Sequence, residues 1–175
     1  VAEFSGTHQE GRPVFSPDGR RLYFYSRRPL PGSQEDTKKT DAWYVEREAG
    51  VRWSEPRPVE APINSEQADV VRGFSPSGDM LLTRIQEKKP YLFRSSPTED
   101  GWAEPVRLKS EHYGDEFFDA TDMGEGDFFI FDVNKKTYGP WYNAYLYISY
   151  RNPDGSWTAP KSMGDMINRG EGRFP

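Results

Sequence analysis

Hydrophobic and polar positions alternate along this chain in short runs, and the runs come round again. Through Arg21-Leu22-Tyr23-Phe24-Tyr25-Ser26, Leu22 and Phe24 fall on one side and Tyr23 and Tyr25 on the other, the period of a strand. Just before it stands Phe15-Ser16-Pro17-Asp18-Gly19. Pro17 presets φ for the first corner of a turn, and Asp18-Gly19 fills the next two. Together they predict a hairpin with strands over 12–16 and 21–26. Phe74-Ser75-Pro76-Ser77-Gly78, followed by Met80-Leu81-Leu82-Thr83, repeats the pattern. Ala120-Thr121-Asp122-Met123-Gly124, followed by Phe128-Phe129-Ile130-Phe131, is expected to be a third and looser copy of the turn.

A second marker keeps time with the first. Trp53-Ser54-Glu55-Pro56, Trp102-Ala103-Glu104-Pro105 and Trp157-Thr158-Ala159-Pro160 each follow a hairpin, and Ile63-Asn64 and Ile167-Asn168 close two of the units. Alternating runs between the markers predict two further strands per unit: 41–47 and 57–60, then 91–95 and 106–108, then 144–150 and a last one near 161. Connectors are expected at 27–40, 86–90 and 134–143. The repeats then run over 10–68, 69–114 and 115–170. Sixteen glycines and fifteen prolines interrupt every window long enough for a helix. Self-similarity at about fifty residues signals a propeller or a solenoid. Four antiparallel strands per unit point to the former: an all-β, β-propeller segment of three four-stranded antiparallel blades in one partial domain, 1–175.

The Ser-Pro-Asp-Gly turn, the Arg-Arg-Leu-Tyr-Phe strand after it, and the downstream Trp-x-x-Pro and Ile-Asn resemble the WD-like repeat of TolB-like propellers over residues 10–175. The third copy departs from that pattern, with Asp122-Met123 in place of Pro-Asp. Glu171-Gly172-Arg173 copies Glu10-Gly11-Arg12, so a fourth repeat begins at 171–175. The resemblance implies a ring of six or seven blades, of which three are half. Two expectations follow: a fragment of a longer propeller, or a homodimer completing a six-bladed ring. The resemblance further implies an exported protein, periplasmic or extracellular. Its expected role is a non-catalytic binding scaffold that contacts proteins or cell-envelope components.

Composition narrows the classes. Hydrophobic residues make up 34% of the chain and its mean hydropathy is −0.90, yet 15% of it is aromatic. A thin, aromatic-rich core spread over several small sheets fits both numbers. Net charge is −5, with Lys and Arg scattered in pairs rather than in a stripe, which argues against nucleic acid. There is no cysteine, so neither disulfides nor thiolate metal sites arise. No run approaches the length of a membrane span, and no stretch reads as a signal peptide.

Strand polarity sorts the loops. The tight turns at Asp18-Gly19, Ser77-Gly78, Gly50 and Asp154-Gly155 share one edge of the sheets. The insertions 27–40 and 134–143 share the other with the links between repeats, where a rigid scaffold carries function. Tyr138, Trp141 and Tyr142 form a candidate partner-binding patch there, as aromatics with polar tips suit interfaces. Arg28 and Arg72, with Arg27, are candidate carboxylate or anion anchors, or else ordinary structural arginines. His8 precedes Glu10, and His112 precedes Asp115 and Glu116, an imidazole–carboxylate pairing that suits a metal or acid–base chemistry. They stand in the links that lead into the first and third repeats, a whole blade apart, so no metal or cofactor is assigned. His112 remains a candidate partner-binding residue. The acidic run Asp115, Glu116, Asp119, Asp122, Glu125, Asp127 lacks the spacing of a calcium loop. Gly73-Phe74-Ser75-Pro76-Ser77 lacks the final Gly of a nucleophile elbow. Two readings stand behind the scaffold: a glycan-active lyase or hydrolase using His8 and His112 with Glu10 or Asp115, and the propeller gate of a serine peptidase.

Overall fold

The computed structural model describes residues 7–33, 39–49, 52–75, 77–108, 119–123, 128–135, 143–154 and 156–168. Among them the fold is all-β and built from small antiparallel sheets. The first sheet is a meander of β1 (Glu10–Phe15), β2 (Arg21–Ser26), β3 (Asp41–Glu46) and β4 (Arg57–Pro58). The second contains β5 (Asp69–Phe74), β6 (Met80–Gln86), β7 (Lys89–Ser95) and β10 (Val106–Arg107). A two-stranded ribbon, β8 (Pro97–Thr98) with β9 (Gly101–Trp102), stands between β7 and β10. The third is β11 (Asp119–Met123), β12 (Phe128–Lys135), β13 (Asn143–Tyr150) and β14 (Lys161–Ser162).

The hairpin turns form for the reasons their residues suggest, with one addition. Gly19 takes φ +66° and Gly78 φ +86°, and each donates its N–H to the carbonyl of the motif serine, Ser16 or Ser75. The serine hydroxyl then accepts the N–H that reopens the ladder, from Arg21 at 2.9 Å and from Asp79 at 3.0 Å. Ser-Pro is therefore a clasp as well as a corner. Asp18 accepts from Ser16 Oγ and from the Arg20 N–H, and these bonds hold its carboxyl below the usual range.

Each first strand carries a β-bulge at the same level: between Gly11 and Val14, between Val71 and Gly73, and between Ala120 and Asp122. Bulges add local twist and pin register. In the first copy the bulge needs a left-handed residue, Arg12 at φ +52°. Gly11 beside it leaves room for the Tyr25 ring, since a Cβ there would meet the Tyr25 hydroxyl at 2.8 Å and displace the side chain.

The two sequence markers touch. Phe15 packs on Trp53 with ring centroids 6.1 Å apart, and Phe74 packs on Trp102 at 6.0 Å. Trp53 and Trp157 bridge back to Arg47 and Arg151, and Trp102 pairs with Pro97. The next residue donates its N–H to Glu46, Ser96 or Tyr150 in the three copies. Where it is Ser54 or Thr158, its hydroxyl also accepts the N–H of Glu46 or Tyr150.

Three details differ from the expectation. Ala120-Thr121-Asp122-Met123, read from sequence as the third copy of the turn, is instead strand, lying in β11 and paired with β12 as far as Met123 opposite Phe129. The connector at 86–90 is a two-residue turn, because Glu87 (φ +51°) and Lys88 (φ +64°) both adopt the left-handed conformation that fits strand twist. The fourth strand of each sheet is only two residues long, since Pro56 and Pro58, Pro105, and Pro160 limit the donors available there.

The main core lies between the first and second sheets. Tyr23, Ala42, Val59 and Ile63 on one side meet Val71, Met80, Leu82 and Phe93 on the other, all buried. A smaller cluster of Phe24, Trp43 and Val45 sits on the opposite face of the first sheet, with Leu22, Leu30 and Trp53 packed against it. The strand β5 touches β1, β2, β3 and β11.

Candidate binding groove

The loop-bearing edge is where the first sheet, its insertion and its outgoing link converge. Cross-strand register aligns Glu10, Ser26 and Asp41 in one row at that edge. The link joins them there, since Asp69 donates its N–H to the Thr40 carbonyl and Ile85 to that of Ala68.

Beyond β2 the chain runs as a structured arch. Arg27 donates to the Gln9 carbonyl, carrying strand pairing one residue past the sheet, and Arg28 then donates to Ser26 Oγ in a local turn. Leu30-Pro31-Gly32-Ser33 then closes a type II turn: Ser33 donates to the Leu30 carbonyl at 2.9 Å and Gly32 takes φ +86°. This turn faces Thr7 and His8 across an open groove of about 690 Å³. Arg28, the 29–31 segment and Trp43 line it.

Its polar groups are held in place by the fold. Arg28 Nε lies 2.7 Å from Glu10 Oε1 and its Nη2 2.5 Å from the same oxygen, and both side chains are about five-sixths buried. The guanidinium is 5.9 Å from the ring centroids of Phe24 and Trp43, at the outer reach of a cation–π contact. Trp43 is 5% exposed and its indole Nε1 has no hydrogen-bond partner among the described residues. Leu30 packs against the Phe24–Trp43–Val45 cluster.

Two buried ion pairs brace the edge beside the groove. Asp69 Oδ1 accepts from Arg84 Nε at 2.6 Å, while its Oδ2 accepts the Ser65 N–H and hydroxyl. Arg84 Nη2 reaches across to the carbonyls of Pro62 and Ile63, at 3.0 Å each. The second sheet thereby grips the link that leaves the first. Asp41, fully buried, lies 2.7 Å from Lys39 Nζ, yet neither carboxylate oxygen receives a well-aligned hydrogen bond. Burial pushes its carboxyl above the usual range; Lys39 opposes the shift and Asp69 adds to it.

Asn64 completes the brace. Its Oδ1 accepts the Ala42 N–H at 2.8 Å, and its Nδ2 donates to the carbonyls of Ala42 and Val59. Asn168 does the same to Leu146 and reaches Ser162 Oγ. At this spacing the second repeat carries His112-Tyr113.

Of the residues singled out by sequence, Arg28, His8 and Glu10 come together at the groove. Arg72 does not: it sits at the β5 bulge and donates from Nε to Thr83 Oγ1 at 2.7 Å, within its own sheet. His112, Tyr138, Trp141 and Tyr142 lie outside the described residues, as do Asp115 and Glu116. No three His, Cys, Asp or Glu side chains converge for a metal among the described residues. Sequence reasoning did not single out Leu30 and Trp43, although the Leu-Pro-Gly-Ser signature and an aromatic on an alternating strand were both visible. No family model, curated protein or solved structure matches the chain.

Proposed function

We propose that the three four-stranded sheets are blades of a β-propeller, and that the chain is a non-catalytic binding scaffold whose protein-binding site is the Arg28–Trp43 groove. The blade reading is supported by the repeated wiring. Each sheet is a meander, each first strand is bulged at one level, and β5 contacts both β1 and β11, the first strands of the other two sheets. The groove carries the binding reading. At about 690 Å³ it has the size of a ligand cleft and is open along its length, which suits an extended segment. Its walls are prolines and leucine over a tryptophan, and prolines present apolar surface without backbone donors. Its charged groups are engaged: Arg28 holds Glu10, so that carboxylate serves to fix the wall. A protein segment or cell-envelope component bearing an aliphatic pair is the partner class that fits, in keeping with the TolB-like repeats the sequence resembles.

The test follows the Trp43 indole N–H by NMR, assigned through Trp43→Phe, while short peptides with an adjacent aliphatic pair are titrated in. Movement of that signal, lost in Leu30→Asp, is expected. A signal that no peptide moves overturns the reading.

A further inference from the structure

The third sheet ends on an apolar link, and the first sheet displays what becomes of such a link when it is covered. Ile63 and Ile167 hold the same place. Each donates its N–H to the residue three before, Glu60 or Gly164, and each precedes the asparagine that clasps the third strand of its sheet. Ile63 is 0% exposed, seated against Val71, Met80, Leu82 and Phe93 of the second sheet, with Arg84 holding its carbonyl. Ile167 is 52% exposed, and Met166, in the place of Pro62, is 92% exposed.

The receiving surface of the second sheet has a counterpart in the first. Strand register places Leu22 where Met80 stands, Phe24 where Leu82 stands and Trp43 where Phe93 stands. The charged clamp is matched as well. Glu10 opens β1 as Asp69 opens β5, and Arg28 pairs with it as Arg84 pairs with Asp69. The third sheet thus offers the inserting element of an interface the molecule already contains, and the first sheet offers the counterpart of its receiving element.

We propose that the 163–168 link of the third sheet seats in the Arg28–Trp43 groove of a second copy of this chain, third sheet to first sheet, with two such contacts related by a two-fold axis. The proposal rests on the groove being a protein-binding site and names its occupant. The interface is heterologous, so closure by two copies is what prevents open-ended growth.

Native mass spectrometry of the whole chain across a concentration series is the first measurement. A species at twice 20.2 kDa is expected. Ile167→Asp and Leu30→Asp, one on each side of the contact and neither in a fully buried position, are each expected to weaken it roughly thirty-fold or more. An equimolar mixture of the two variants restores part of the dimer, since one of its two contacts is then intact. A chain that stays monomeric, a dimer indifferent to both substitutions, or an open series of larger oligomers overturns the proposal. Titration with the 161–168 peptide separates this failure from that of the groove itself. A Trp43 signal that answers unrelated aliphatic peptides but not this one overturns only the second-copy assignment. A signal that answers neither overturns both.

Discussion

Asp41 is the residue whose environment runs most against its chemistry. Its carboxyl is fully buried with a single cation beside it, and burial raises its pKa. A raised carboxyl pKa means that the folded state prefers the neutral acid. Its ionised form therefore costs stability above the folded pKa, and that cost fades as pH falls through the folded value toward the unfolded one. Asp41→Asn is expected to raise Tm at pH 7.5 by about 2–4 °C, what roughly 1 kcal/mol is worth in a chain of this size. The gain should disappear in melts at pH 3.5; a gain of equal size at both pH values would refute the assignment. Asn64 is the opposite case, a side chain whose hydrogen-bonding groups all have partners. Asn64→Ala removes the partner of the Ala42 N–H and of the Val59 carbonyl at a buried seam, while the Ala42 carbonyl keeps the Val59 N–H, and is expected to cost about 2–3 kcal/mol in urea unfolding. Asn168→Ala should cost less, since its partner Ser162 is exposed.

Among the elements, the β6–β7 hairpin is turned by two residues poorly suited to it. Glu87 and Lys88 both sit at positive φ, where Asn-Gly is the favoured pair. Replacing them with Asn and Gly is expected to stabilise the protein by about 1 kcal/mol, read from the denaturation midpoint with an unchanged slope. This turn also marks the limit of sequence reading. The hairpins at Gly19 and Gly78 are legible because a Pro–Gly corner is local, as is the period-two run beside it. A turn made by Glu-Lys announces nothing, and neither does the Pro97–Trp102 ribbon. The site is harder still. Arg28 and Arg72 stand out as charges, but their partners lie 18 and 11 residues away, and only the folded register brings them together. The groove depends on Leu30 and Trp43, whose roles follow from packing and not from any spacing.

At the scale of the whole molecule, the first two sheets share one core, and Arg84 of the second holds the Pro62 and Ile63 carbonyls of the link that leaves the first, so they should unfold as a unit. Leu82→Ala, at a fully buried position in that core, is expected to cost about 2–5 kcal/mol. Hydrogen exchange should accelerate together in β3 and β6 although the substitution touches only one of them. Faster exchange confined to the second sheet would mean that the shared core does not couple them.

The asparagine clasp has an evolutionary consequence. Asn64 and Asn168 each bond backward, to the sheet they have just left, so every unit that carries the clasp fastens its own exit. A gene segment encoding one such unit could be duplicated or lost without severing the clasp of another. Growth by whole units is then the mutational path of least damage, and the sameness of the first and third clasps is the trace such duplication would leave.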